Sequence, residues 1–334
     1  MRELADAARR WAAEGRPGVL ARPITETGFG PRNLGEAVLI DADGHCHGSL
    51  YRGTFDDYLA AQAAALPEGD TACVREVAVH EEEVKRAGLT CGGQADVLLQ
   101  PLHTLPTAWW DLLADGSDAA LVTRLDASGT RAASTVVTSA PRQDDAGTDV
   151  SAEVVERARE LLARRRTGRD LQPTHGGLVL IETFPALPHL VIVGEGELAG
   201  LLVAQAALLG WPAVVTSEAQ EAVRLLSERP GGACLIMLSH DPEVDVPVLS
   251  SALTTGVAYV GALGSRRTQA RRAASLTEAG FDEVQLGRVH GPIGLDLGAR
   301  TAAETALAIC AEVLAALDGR EARVLREGSG SINA

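Results

Sequence analysis

Aromatic side chains make up only 3% of the 334 residues, and methionine occurs just twice. So small an aromatic supply argues against a protein that reads nucleic acid by stacking bases on its rings. Positive charge is short as well: 30 Lys and Arg against 45 Asp and Glu leave a formal net charge of −15. Sequence-independent nucleic-acid binding rests on clustered cations that neutralise phosphates, and this balance argues against it. The five cysteines are odd in number and contain no C-x-x-C pair. That points away from a disulfide framework and from a structural zinc site. Long uninterrupted apolar runs are also missing. The stretch Leu198 to Val215 carries Gln205 and is broken by Gly210 and Pro212. A membrane span needs about 20 apolar residues without such breakers, so this stretch reads as a buried helix running into a buried strand. Met1 to Trp11 is charged throughout, with no apolar core of a signal peptide; it predicts an amphipathic helix ending near Gly15 and a cytoplasmic location.

What the chain does have is 46% hydrophobic residues, mostly small aliphatics, which is ordinary for a folded protein. Its length suggests two domains, at roughly 100–200 residues each. The first half alternates short strands and turns. Val38 to Gly44 predicts a strand entering an Asp-Gly hairpin, Val97 to Leu99 another strand, and Thr107 to Leu113 a short helix. Arg142 to Asp149 is polar and unpatterned and reads as a loop; Ala152 to Arg166 has its apolar residues at helical spacing, and Leu178 to Ile181 is a strand. After Pro188 the pattern becomes regular. Apolar strands at 189–193, 213–215, 233–238 and 257–260 alternate with helices at 198–209, 219–227, 246–254, 266–279 and 302–317. Strands without polar alternation, separated by helices, predict an α/β parallel sheet covered on both faces.

The loops that follow such strands open onto one crevice at the carboxyl edge of the sheet. Gly194-Glu195-Gly196-Glu197-Leu198-Ala199, with Gly200 next, fits G-x-G-x-x-G/A between a strand and a helix. There glycines permit a tight turn and close backbone approach, and the helix start faces an anion. Two acids lie in this turn, and the position of the ribose-binding acid falls at Ser217 or Glu218. The turn reads either as an NAD(P) site or as a Rossmann scaffold that has changed its ligand. In Ser239-His240-Asp241, Asp241 is either the cap of the next helix or part of a ligand-facing loop with His240. Gly264, Ser265, Arg266 and Arg267 place glycine, a hydroxyl and two guanidinium groups at a helix start, a plausible phosphate cradle. Arg271 and Arg272, a turn further on, read as a solvated face. His290 to Arg300, which includes Asp296, is an unusually Gly-rich loop of the kind that carries function. In the first half, Cys91 between turn residues is either an accessible thiol or a half-buried inert one. His45 and His47 share a strand face while Cys46 points away, and two such ligands do not make a metal site.

Tyr259 to Thr268 followed by His290 to Thr301 resembles the C-terminal signature of the XdhC/CoxI family, the xanthine dehydrogenase accessory factors. Gly30-Pro31-Arg32 with Gly35, Gly44 to Ser49, Leu89 to Gly93, and Ser239 to Pro242 resemble further family segments, so the resemblance spans most of the chain. It implies an N-terminal α+β XdhC/CoxI-type domain with a linker helix over 1–187, and a Rossmann-like domain over 188–334. It also implies a cofactor chaperone rather than an enzyme. Such a protein binds molybdenum cofactor (molybdopterin), supports its sulfuration with a cysteine desulfurase, and delivers it to a molybdenum hydroxylase apoenzyme, with homo-oligomers among its expected states. The cofactor-binding positions are then Gly194, Gly196, Ala199, Gly200, His240, Gly264, Ser265, Arg266, Arg267, His290 and Asp296, with Arg32 and Cys91 from the first half. The alternative is an NAD(P)-dependent oxidoreductase built on the Gly194 turn, with His240 or His290 as its acid or base. Where the family has a Gly-Gly-Cys-Val-Glu run, this chain reads Arg52-Gly53-Thr54-Phe55-Asp56, and Glu195 and Glu197 stand where its Rossmann turn has Ala and His.

Overall fold

The computed structural model describes residues 1–29, 35–67, 69–79, 91–140 and 150–327. The chain divides into two compact units, Met1–Pro185 and Ala186–Ala334. Arg32 with its neighbours from Gly30 to Leu34, the pair Leu89-Thr90, and the polar stretch from Arg142 to Asp149 lie outside the described residues.

The first unit begins with α1 (Ala5–Ala13), which buries Ala5, Ala8 and Trp11 along one face. Then come β1 (Gly18–Gly28), β2 (Val38–Asp41) and β3 (Cys46–Gly48). The turn joining β2 to β3 is fixed by Asp41, whose Oδ1 accepts the N–H groups of Asp43 and His45. α2 (Asp56–Ala64), β4 (Cys73–Val79), β5 (Gly93–Pro101) and α3 (Thr107–Ala114) follow. The unit closes with β6 (Ala119–Asp126), β7 (Ala132–Val137), α4 (Ala152–Ala163), β8 (Gly168–Thr174) and β9 (Gly177–Phe184). Two antiparallel sheets result, in the orders β3-β2-β1-β5-β4 and β7-β6-β9-β8. Pro23 sits in the middle of β1 because the ladder with β5 shifts register between Pro23 and Thr25; a bulge absorbs the missing N–H. One apolar cluster joins both sheets, with Leu20 and Leu39 from the first, Leu121 from the second, and Trp11, Trp109 and Trp110 from the helices. Three of the chain's four tryptophans are thus spent on this core. α4 stops three residues earlier than the apolar spacing predicts, and just beyond it Arg165 takes a left-handed φ of 55°.

The second unit runs β10 (His189–Val193), α5 (Glu197–Leu208), β11 (Ala213–Thr216), α6 (Ala219–Glu228), β12 (Ala233–Met237) and α7 (Pro242–Thr255). It continues with β13 (Tyr259–Ala262), α8 (Arg266–Glu278), a one-turn α9 (Glu283–Leu286), β14 (Val289–His290) and α10 (Ala302–Leu317). All five strands are parallel, in the order β11-β10-β12-β13-β14. Alternate strand residues serve opposite faces. Leu190 and Ile192 pack with α5 and α10, while Val191 and Val193 pack with α6, α7 and α8. α10 shows how sequence spacing becomes packing: Ala306, Ile309, Cys310 and Val313 are buried at helical intervals, and its Thr301–Glu304 capping box is formed in both directions. α7 begins at Pro242, four residues before the apolar pattern does, because Asp241 caps it and proline suits its first position. β14 is only two residues long, and neither it nor α9 has a periodic signal to announce it. Among the described residues, no helix is long and apolar enough to cross a membrane.

Candidate functional site

The strand order 2-1-3-4-5 is that of a flavodoxin-like doubly wound sheet, not the 3-2-1-4-5-6 order of dinucleotide folds. Its switch point lies between β10 and β12, so the loops after these strands flank the crevice, with those after β13 and β14 beside them.

The turn after β10 keeps the geometry its glycines suggest. Gly194 has φ 132°, and a Cβ there would lie 2.9 Å from Leu238 Cβ; Gly196, the N-cap of α5, has φ 101°. Ala199 is buried against the sheet, whereas Gly200, Glu195 and Glu197 are exposed. Ser217 and Glu218 are exposed beyond β11, and Glu218 opens α6 without capping it through its side chain.

After β12, Asp241 resolves in favour of the cap: its Oδ1 accepts the N–H of Glu243 at 2.9 Å. His240 is exposed and has no hydrogen-bond partner among the described residues. After β13, Gly264 has φ 132°, and Ser265 uses its hydroxyl to cap α8, accepting from Thr268 N–H at 3.3 Å. Arg266 and Arg267 are exposed in the first turn of α8, which carries no acid, and neither has a hydrogen-bond or ion-pair partner among the described residues. By contrast, acids occupy the first turns of α5, α6, α7 and α10.

The basic run predicts a solvated Arg272, but the residue is buried, 7% exposed. Its Nε donates to Asp245 at 2.7 Å, and its other nitrogens donate to the carbonyls of Leu263 and Ser239. Arg271 remains exposed. The signal that separates the two is the four-residue spacing from Arg272 to buried Leu276, which puts both on the inner face of α8.

The Gly-rich loop after β14 is anchored by a residue with no motif around it. Glu312, on α10, accepts from Tyr259 Oη at 2.7 Å, from Gly294 N–H at 2.6 Å and from His290 Nδ1 at 3.0 Å. His290 is thereby oriented with Nδ1 committed and Nε2 left over, its ring 4.6 Å from that of Tyr259. Ile293 plugs the sheet over Gly261, where a Cβ would lie 2.3 Å from Ile293 Cδ1, so no side chain fits. Asp296 is exposed on the same loop, with no partner among the described residues.

Burial works to raise the Glu312 carboxyl, but the hydrogen bonds from His290, Gly294 and Tyr259 outweigh it and hold the group below its ordinary value. The ionised form therefore stabilises the fold at pH values above the unfolded carboxyl's pKa, about 4.3, and that contribution fades as pH falls through the lower folded value. Glu312→Gln is expected to lose about 1–2 kcal/mol at neutral pH, since two or three charge-assisted bonds weaken. Urea titrations should show the gap between variant and parent shrinking below pH of about 4; a gap that stays constant into acid contradicts this role.

In the first unit, Cys91 is exposed just before β5. His45 Nδ1 lies 3.3 Å from Asp41 Oδ2, while His47 meets the Trp11 ring edge-on at 5.0 Å, so the two histidines are engaged separately. Arg52 and Gly53 both take positive φ, 57° and 80°, where the family run has two glycines. Thr54, in place of the family cysteine, donates its hydroxyl to Tyr51 O at 2.6 Å.

Comparison with known proteins falls on both units. Residues 190–313 match the family model of the XdhC Rossmann domain, and residues 11–77 match that of the XdhC and CoxI family. YqeB of Escherichia coli K12, described as uncharacterized, is 29% identical over 157 residues, which is 41% of this chain and 28% of that protein. PaoD of the same organism, a molybdenum cofactor insertion chaperone, is 38% identical over 79 residues, 24% of this chain and 25% of its own. The chain thus spans about a quarter of the length of these curated relatives. A crystal structure of a xanthine dehydrogenase from Bacillus halodurans superposes with a TM-score of 0.61 at 21% identity, covering 95% of this chain and 96% of the other, a likeness of fold. With one model matched in each unit, the chain belongs to the XdhC/CoxI family.

Proposed function

We propose that this chain is an accessory protein that binds molybdenum cofactor and delivers it to a xanthine-dehydrogenase-like molybdenum hydroxylase, with a cysteine desulfurase supporting sulfuration of the cargo. The observation that carries the reading is the pair of guanidinium groups of Arg266 and Arg267, without a partner among the described residues and exposed at the carboxyl edge of the sheet in a chain of net charge −15. They face the same edge as Gly264 and the start of α8, where backbone N–H groups favour an anion such as the phosphate of a pterin. His240, His290 and Asp296 supply donors and an acceptor for the remaining polar atoms of the cargo, and the turn of Gly194, Gly196, Ala199 and Gly200 lets it approach the backbone. Cys91 is the thiol assigned to sulfur chemistry, and Arg32 a further cation of the first unit. The family membership and the named activity of PaoD support the same reading.

The test is direct. Protein purified anaerobically and mixed with molybdopterin should retain it through gel filtration, with the pterin recognised by its fluorescence after oxidation. Failure to bind in stoichiometric amount at low salt sinks the reading. The intact left-handed conformations of Gly194 and Gly196 favour a second reading, a nicotinamide-dependent oxidoreductase. Exposed Glu195 and Glu197 oppose it, because they place negative charge where a pyrophosphate would lie. Calorimetric titration with NAD and NADP separates the two, since heat from either would support the oxidoreductase.

A further inference from the structure

Arg272 and Asp245 are buried beneath the crevice, 7% and 3% exposed. Replacing a buried ion pair by apolar residues is often neutral or stabilising, so stability alone is a weak account of this one. The bonding pattern shows what else it does. One guanidinium reaches Asp245 on α7, the carbonyl of Leu263 after β13, and the carbonyl of Ser239 after β12. Those carbonyls belong to two different loops of the crevice. Arg272 also lies on α8, the helix whose first turn carries Arg266 and Arg267. The guanidinium also reaches Gln269 Oε1 at 3.4 Å, and a planar fork with five donors spans these acceptors in fixed directions, whereas an ammonium group is a single point on a flexible stem.

We propose that Arg272 is a positioning residue that locks the Ser239–Asp241 loop and the Leu263–Ser265 loop into one body, so that His240 and the Arg266–Arg267 pair meet the cargo at a fixed separation. This rests on the reading of the crevice as the seat of the cofactor. The two loops therefore open together or not at all, and ligand affinity depends on the fork rather than on the charge.

Arg272→Lys tests this, because it keeps the positive charge near Asp245 and removes the fork. Amide hydrogen exchange in 239–241 and 263–265 should accelerate together by about tenfold, the effect of a charge-assisted bond or two. Molybdopterin affinity should fall by about tenfold as well. Leu226→Ala, in the core under α6, is the control for lost stability: it should lower the urea midpoint yet leave both loops protected and affinity unchanged. Affinity that follows the urea midpoint across both variants overturns the proposal, as does a lysine variant in which only one loop is released. If Arg272→Lys does not fold, the wild type decides, because two loops locked together must show the same opening free energy. Wild-type protein that binds no molybdopterin overturns the functional reading instead, while the exchange data still judge the lock.

Discussion

Replacing Arg266 and Arg267 together by alanine is expected to weaken molybdopterin binding by roughly 30-fold, equivalent to about 2 kcal/mol. Each guanidinium offers a forked pair of donors to a phosphate, but both are exposed, so water and salt reduce what each contributes. The same screening predicts that wild-type affinity falls as salt rises and that the double variant loses most of this dependence. The fold should barely respond. Neither side chain has a partner among the described residues to leave behind, and surface substitutions of that kind shift stability by about ±0.5 kcal/mol. Equilibrium binding by pterin fluorescence at two ionic strengths, beside a urea titration, checks both halves. An affinity equal to that of wild type would move the anion site away from α8.

The largest expected effect on stability lies in the first unit. Arg22 is completely buried; its Nε donates to Glu182 at 2.6 Å, and its Nη2 donates to Gln100 at 2.9 Å and Thr123 at 3.1 Å. These partners come from both sheets, so one guanidinium on β1 ties β5 to β6 and β9. Arg22→Ala strands the Glu182 carboxylate in the interior and should cost about 3–5 kcal/mol. For a domain of this size that lowers Tm by roughly 10 °C. Arg22→Met combined with Glu182→Leu removes both charges and fills the space, and should return close to the wild-type Tm. Scanning calorimetry of the three proteins gives the answer. A double variant as unstable as Arg22→Ala would mean that the polar network itself, rather than the stranded charge, holds the sheets together.

The α/β architecture of the second half is legible residue by residue. Continuous apolar strands such as 189–193 and the 306, 309, 310, 313 stripe of α10 leave little freedom, because burial on two faces or on one helical stripe leaves a periodic mark. Caps at Ser265, Asp241 and Thr301 are visible for the same reason, since each acts within three residues. The candidate site is legible only in part. Its loops are marked by glycine, but the side chains that hold them are not: Glu312 lies 53 residues from Tyr259, and Arg272 lies 33 from Ser239. Nothing local distinguishes a glutamate that accepts three hydrogen bonds from one that is solvated. Arg271 and Arg272 show the limit most sharply, because adjacent residues on a helix point about 100° apart and one faces water while the other is buried.

By itself the sequence determined the parallel sheet of the second unit and the family, because short-range periodicity and motif residues are properties of the chain. Scarce aromatics and a charge of −15 narrowed the ligand class before any fold was considered. Tertiary structure alone decided the strand order 2-1-3-4-5, the pairing of two antiparallel sheets through Arg22, and the burial of Arg272. Each of these depends on which segments meet after the chain has closed large loops. That choice is made by the summed burial and hydrogen bonding of distant residues, and no single stretch of sequence carries it.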